Sequence, residues 1–343
     1  MRKLWLVPLT IALTLPVFLA AQNRLPRECR QEIRQLCDLT GDRQAIRQCL
    51  RKKSSQLSEN CQGELMKRFA ARRGKTNTAL GEPAVSHSGS EYSYGDAAKQ
   101  NLDFYPAKDN PKAPLVVFIH GGGWSMGDKQ RGNRGKDEYY NGMGYAYASL
   151  NYRLVPETQP DGQTADIAKA LAYLRENSAN LGFDPDAIVL MGHSAGAHLA
   201  ALVSTDTSFL ENAGVPMASI KGTILLDGAG YDVPRRMEKS LPPKMINKMY
   251  EDAFTKDLET QRRLSPISHV AAPNGTDWLI LYVAARADAK AQSEAFGAAL
   301  KQNGSGAGVI AVPGSTHKSV NQDAGVTGSF VGDKIAVFLR KIL

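Results

Sequence analysis

The chain predicts an α/β fold, a mostly parallel sheet flanked by helices, preceded by a small disulfide-linked N-terminal helical hairpin. Three observations carry this. From about residue 91 onward, short apolar, β-rich runs alternate with stretches of helical periodicity, the pattern of parallel strands joined by crossover helices. All four cysteines, Cys29, Cys37, Cys49 and Cys61, fall within one short segment near the start. With 343 residues, 43% of them hydrophobic and 22% charged, the chain is long enough for one large domain plus something small.

Residues 1–21 read as a cleavable export signal. Arg2 and Lys3 precede an apolar run that Pro8 and Pro16 interrupt and that ends in Ala20 and Ala21, a layout that favours a signal peptide over an uncleaved membrane anchor. The expected address is therefore periplasmic or extracellular. Residues 24–73 form the cysteine-rich helical module. "RECRQEIRQLC" and "DRQAIRQCLRKKSSQLS" both have helical spacing, with Thr40, Gly41 and Asp42 as the turn between them. Cysteines confined to a small module suit an oxidising compartment, and the lack of a C-x-x-C pair argues against zinc. Four cysteines allow three connectivities; an antiparallel hairpin favours the nested one, Cys37 with Cys49 inside and Cys29 with Cys61 outside. The spacing resembles the cysteine-rich repeats of a Golgi sialoglycoprotein and of bacterial exported proteins, which implies no activity.

The basic excess is local to this module. Between Arg24 and Lys75 there are 14 Lys or Arg against 6 Asp or Glu, whereas the rest of the chain beyond Arg2 and Lys3 has 26 against 28. Such a module suits an acidic polymer or an anionic membrane surface, and equally a solvated appendage. Its basic helices lack interleaved aromatics, so no nucleic-acid partner is expected. Residues 74–90, rich in Gly, Ser, Thr and Asn, read as a linker, and residues 91–343 as the large α/β domain.

Within that domain "PLVVFIH", "YAYASLNY", "AIVLMG", "GTILLDG", "WLILYVAA" and "GVIAVPG" read as buried strands, being short, β-rich and bounded by turn residues. "DGQTADIAKALAYLREN", "SAGAHLAALVS", "AKAQSEAFGAALKQNG" and "DKIAVFLRKIL" read as helices. Two glycine motifs sit at strand ends. "GHSAG", Gly192 to Gly196, follows "AIVLM" and opens a helix, the strand-turn-helix context of a nucleophile elbow. "HGGGW", His120 to Trp124, follows "PLVVFI". Glycine backbone with no side chain in the way can bring N–H groups to about 3 Å from a developing oxyanion. Gly122 and Gly123 are the expected donors, with the N–H of Ala195 at the helix start as the third.

Chain order picks the partners of Ser194, since the acid and then the histidine follow the serine, each beyond a late strand. Of the six histidines, His317 after "GVIAVPGST" is the one that follows the last strand, and it is the expected base. The first carboxylate after "WLILYVAA" is Asp288, the expected acid, with Asp323 and Asp227 as rivals; Asp227 ends an earlier strand. Trp124, Tyr152 and Tyr231 are candidate pocket walls, each equally readable as core. The stretch from Tyr231 to Phe254 interrupts the strand pattern and is expected to cap the pocket. No metal or organic cofactor is expected: outside the glycine motifs there is no histidine cluster, and G-x-G-x-x-G is absent after the first strands.

"HGGGW", "NYRLVPE", "LGFDPDAIVLMGHSAGAHLAAL", "LSPI" and "PGSTHKSVNQDAG" together resemble the exported carboxylesterases of the α/β-hydrolase superfamily, near the hormone-sensitive-lipase-like and feruloyl or acetyl esterase groups. The resemblance runs from about Tyr92 to the end and implies an α/β-hydrolase fold, a triad of Ser194, Asp288 and His317, and the oxyanion donors above. The chain departs from the pattern at "AARAD", where the usual glycine-bearing G-x-x-D before the acid is missing. The implied activity is hydrolysis of a small-molecule or polysaccharide-linked ester. "GHSAGAHLA" also resembles arylformamidases, so amide hydrolysis is the second reading, and an inactive binding protein the third.

Overall fold

The computed structural model describes residues 26–37, 57–58, 61, 89–238, 244–271, 274–275 and 277–343. The chain divides into two compact units, Met1–Ser86 and His87–Leu343. The expected signal peptide, most of the expected linker and, apart from Leu57 and Ser58, the expected second helix of the hairpin lie outside the described residues.

In the first unit, helix α1 (Arg27–Leu36) is amphipathic. Cys29 and Ile33, one turn apart, are buried together with Cys37, Leu57 and Cys61. Cys29 and Cys61 form a disulfide across a Cα separation of 5.2 Å, the outer pair of the nested arrangement. Cys37 is also disulfide-bonded, while Cys49 lies outside the described residues. The N–H and Oγ of Ser58 donate to the Glu32 carboxylate at 2.9 and 2.8 Å. Among the described residues the disulfide joins two members of this apolar cluster, a covalent staple of the kind on which small domains rely.

The second unit is built on an eight-stranded sheet in the order β1-β2-β4-β3-β5-β6-β7-β8. The strands are β1 (Ser90–Ser93), β2 (Asn101–Tyr105), β3 (Ala113–Ile119), β4 (Ala146–Leu150), β5 (Phe183–His193), β6 (Ile220–Leu226), β7 (Asp277–Val283) and β8 (Gly306–Val312). β1 and β2 run antiparallel at one edge, and β4, β3, β5, β6, β7 and β8 are parallel. The six parallel strands are those that the apolar runs predict. β1 and β2 escape that reading because they are short and carry Glu91 and Asp103, charges that the buried ammonium of Lys129 neutralises; its Nζ lies 2.6 Å from Asp103 Oδ1 and also contacts Glu91.

Side-chain alternation divides the core between the two faces of the sheet. Leu115, Val117 and Ile119 of β3 point to one face, under helices α2 (Pro160–Glu176), α3 (Ala195–Thr205) and α5 (Ala287–Gln302). Val116 and Phe118 point to the other, into a second core that also holds Ile335 and Leu339 of the C-terminal helix α7 (Phe330–Ile342). Helix α4 (Lys244–Phe254) lies in the connection between β6 and β7, and the short α6 (His317–Asp323) follows β8. Because the central strands are parallel, the segments leaving β3, β5, β6, β7 and β8 all emerge at one end of the sheet. That end is where an open α/β sheet binds ligands.

Candidate active site

At the exit of β5 the chain turns sharply into α3, and Ser194 sits on the turn with φ 57° and ψ −120°, the strained left-handed conformation of a nucleophile elbow. The turn is pinned to the sheet by the Ser194 N–H, which donates to Leu226 O of β6 at 3.0 Å. It fits only because Gly196 has no side chain: a Cβ there would lie 2.2 Å from Ile119 O and 2.4 Å from His120 O. The same compaction brings the HGGGW loop over the elbow. Gly122 has φ 136°, and a Cβ on it would come within 2.0 Å of Met126 O. Among the described residues no backbone acceptor takes the N–H of Gly122 or Gly123.

Ser194 Oγ lies 3.0 Å from His317 Nε2, and His317 Nδ1 lies 2.6 Å from Asp227 Oδ2. The structure thus brings together two of the three expected triad residues with a rival carboxylate. Asp288 does not reach the imidazole; its contact is with Arg286 Nη2 at 3.3 Å. The reason is local. β6 runs straight into Asp227, which turns back with φ 46°, and the side chain is fully buried. Its Oδ1 accepts the Val283 N–H at 2.9 Å, and its Oδ2 is shared by His317 and Arg286. Asp288 is in the first turn of α5, on the far side of the Arg286 guanidinium. The signal in the sequence was the carboxylate at the immediate end of "GTILLD".

Charge follows this geometry. Burial pushes the Asp227 carboxyl up, but the hydrogen bond to His317, the charge of Arg286 and the Val283 N–H outweigh it and hold it below the usual carboxylate range. Burial alone would weaken the Arg286 cation, and the charges of Asp227 and Asp288 more than restore it. His193, next to Ser194, is pushed down to about 3, chiefly by burial and next by the neighbouring His317. It stays neutral, and its Nε2–H donates to His317 O at 2.8 Å while the two rings pack 4.5 Å apart. The backbone that carries His317 is therefore tied to the loop that carries Ser194.

These groups line a cavity of about 670 Å³. Its apolar wall comes from Trp124 and from Ile246, Met249 and Tyr250 of α4, so the interrupting stretch does border the site. Met249 lies over the glycine loop, close enough that a Cβ on Gly123 would meet its Sδ at 2.0 Å. Trp124 is fixed edge-on against Tyr250 and Phe254; its Nε1–H donates to His198 Nδ1 at 3.3 Å, and His198 Nε2–H donates to Leu264 O at 2.8 Å. Tyr152 and Tyr231, the other two candidate walls, are fully buried and outside the cavity lining. Tyr152 donates its hydroxyl to His120 O at 2.7 Å and stacks on that imidazole, whereas Tyr231 stacks on Phe296. Both are core supports, and the expectation that they wall the pocket is corrected.

The strand order, the elbow after β5 and the histidine after β8 define the α/β-hydrolase fold. Solved structures agree: Esterase B from Lactobacillus Rhamnosis matches with a TM-score of 0.63 at 24% identity, covering 81% of this chain and 92% of that one. The butyrate-bound thermophilic esterase Est2 from Thermogutta terrifontis matches with a TM-score of 0.59 at 22% identity, covering 74% of this chain and 94% of that one. The model of the BD-FAE family matches residues 102–294, more than half of the chain, and the chain belongs to the BD-FAE family. Among curated proteins, esterase LipQ of Mycobacterium tuberculosis is 27% identical over 263 residues, 74% of this chain and 62% of its own length. A probable isoprenylcysteine alpha-carbonyl methylesterase of Oryza sativa is 28% identical over 252 residues, 66% of this chain and 57% of its own. The chain thus spans about three fifths of the length of these relatives.

Proposed function

We propose that this protein is a serine carboxylesterase working through an acyl-enzyme, with Ser194 as nucleophile, His317 as general base and acid, and Asp227 as the carboxylate that orients the imidazole. The observation that carries the reading is the unbroken line from Ser194 Oγ to His317 Nε2 at 3.0 Å and from His317 Nδ1 to Asp227 at 2.6 Å, opening into the cavity. Ser194 Oγ attacks the ester carbonyl as Nε2 takes its proton, and Asp227 steadies the resulting imidazolium. The carbonyl oxygen becomes an oxyanion held by the N–H groups of Gly122, Gly123 and Ala195, each such donor contributing about a hundredfold or more in rate. Collapse of the tetrahedral adduct expels the alcohol, which leaves with the proton from Nε2. Water then repeats the sequence on the acyl-serine, releasing the acid and free Ser194.

The substrate class is a short-chain acyl, acetyl or feruloyl-type ester, free or carried on a polysaccharide. The apolar wall of Trp124, Ile246, Met249 and Tyr250 suits an acyl group of modest size. Function outside the cytoplasm, with residues 1–21 removed, is supported by the export-signal layout and by the Cys29–Cys61 disulfide; the basic module is proposed to meet an acidic polymer or an anionic membrane surface. The test is hydrolysis of p-nitrophenyl acetate, butyrate and octanoate, with N-formylkynurenine alongside, by the protein and its Ser194→Ala variant. Ester turnover that vanishes in the variant is the expected result. Turnover of N-formylkynurenine alone moves the assignment to amide hydrolysis, and ester turnover that survives in the variant overturns the mechanism.

A further inference from the structure

The carboxylate beside His317 is not held by neutral donors alone. Arg286 Nη1 contacts Asp227 Oδ2, the same oxygen that faces His317 Nδ1. Nη1 and Nδ1 stand 2.7 Å apart, and each contacts that oxygen. A guanidinium so placed does two opposite things. It fixes the rotamer of Asp227, which the Val283 N–H anchors from the other side at 2.9 Å. It also sets a permanent positive charge beside an imidazole that must become positive in the transition state. Asp288, whose Oδ2 lies 3.3 Å from Arg286 Nη2, supplies the missing charge. With imidazolium formed, Asp227 and Asp288 balance Arg286 and His317; without Asp288 the cluster carries one uncompensated cation against the imidazolium.

We propose that Arg286 and Asp288 are a positioning pair for the proton relay: Arg286 aims the Asp227 oxygen at His317, and Asp288 offsets the guanidinium charge as His317 becomes positive. This rests on the reading of Ser194, His317 and Asp227 as the triad. Neither residue touches the serine, so both act through Asp227 and His317. The pairing also accounts for a carboxylate that follows β7 in the chain yet stands off the imidazole.

Asp288→Asn lowers kcat on p-nitrophenyl acetate about tenfold with KM within about twofold, because charge balance is lost only in the transition state. Arg286→Ala lowers kcat about thirtyfold through the loss of Asp227 orientation, Arg286→Lys loses less, and guanidinium ion added well below denaturing concentration partly restores Arg286→Ala but not wild type. In the double variant the Asp288→Asn penalty disappears, so kcat equals that of Arg286→Ala alone within about twofold. Thermal unfolding of each variant is followed by circular dichroism, and kcat is compared among variants that remain folded. Strictly additive losses, an unchanged kcat in Asp288→Asn, or no rescue by guanidinium overturns the proposal. Wild-type turnover that vanishes in Ser194→Ala keeps the triad reading standing in each of these cases, whereas turnover that survives in Ser194→Ala removes that reading and the pair with it.

Discussion

Replacing Asp227 by Asn separates the carboxylate that follows β6 from the one that follows β7. The buried carboxylate receives three donors: the Val283 N–H on Oδ1, and His317 Nδ1 and Arg286 Nη1 on Oδ2. An amide has one oxygen and one NH2 group, so in either flip an NH2 faces a donor. Left like this in a fully buried position, the mismatch costs about 1–3 kcal/mol of stability. The effect on rate is larger. An NH2 facing Nδ1 favours the imidazole tautomer with its proton on Nε2, which cannot accept the serine proton. Loss of the correct tautomer at a buried triad acid costs about 10⁴ in kcat, or about 5 kcal/mol of barrier. Asp288, a quarter exposed and in contact with Arg286 only through Nη2, is worth about tenfold when changed to Asn. The assay is steady-state hydrolysis of p-nitrophenyl acetate by both variants, with folding checked by circular dichroism. A loss of a thousandfold or more in Asp288→Asn, together with near-normal rates in Asp227→Asn, would refute the assignment of the acid.

Two further expectations rest on other parts of the structure. Burial pushes His120 and His198 down to about 4 and His193 to about 3, so the unfolded chain takes up their protons from about pH 6.5 downward while the folded chain does not, and stability falls with pH. At pH 5 each histidine accounts for about 2 kcal/mol of lost stability, which urea unfolding at pH 8 and pH 5 measures; equal stability at the two values contradicts their burial as neutral rings. Met249 stands over the glycine loop in the cavity wall, so Met249→Ala opens room for a longer acyl chain and raises the ratio of octanoate to butyrate kcat/KM about tenfold; an unchanged ratio contradicts an acyl group seated beneath α4.

The parallel strands and the helices that cover them were legible because each is a buried segment whose apolar period survives in the sequence. β1 and β2 were not, since an edge pair that carries Glu91 and Asp103 has no apolar run to read. That Ser194 and His317 come together was legible from motif and chain order, because a sharp strand-to-helix turn and a histidine after the last strand are backbone features with few alternatives. The carboxylate that meets His317 could not be fixed this way. Two carboxylates leave neighbouring strands at the same end of the sheet, and which one turns inward depends on the left-handed φ of Asp227 and on Arg286 standing between Asp288 and the imidazole. Tyr152 and Tyr231 were ambiguous for a related reason, as an aromatic next to a catalytic motif can line a pocket or support the loop from beneath. Here the hydroxyl of Tyr152 reaches the carbonyl of His120 from within the core.

The most direct test of the account is covalent labelling of Ser194. The protein is treated with a p-nitrophenyl phosphate triester and analysed by intact mass spectrometry and peptide mapping, beside Ser194→Ala and His317→Ala. The expected result is a single phosphoryl adduct on the peptide that contains Ser194, none in Ser194→Ala, and labelling slowed by about a thousandfold or more in His317→Ala. A protein that hydrolyses p-nitrophenyl acetate yet takes no label at Ser194, or takes it at the same rate without His317, contradicts the mechanism.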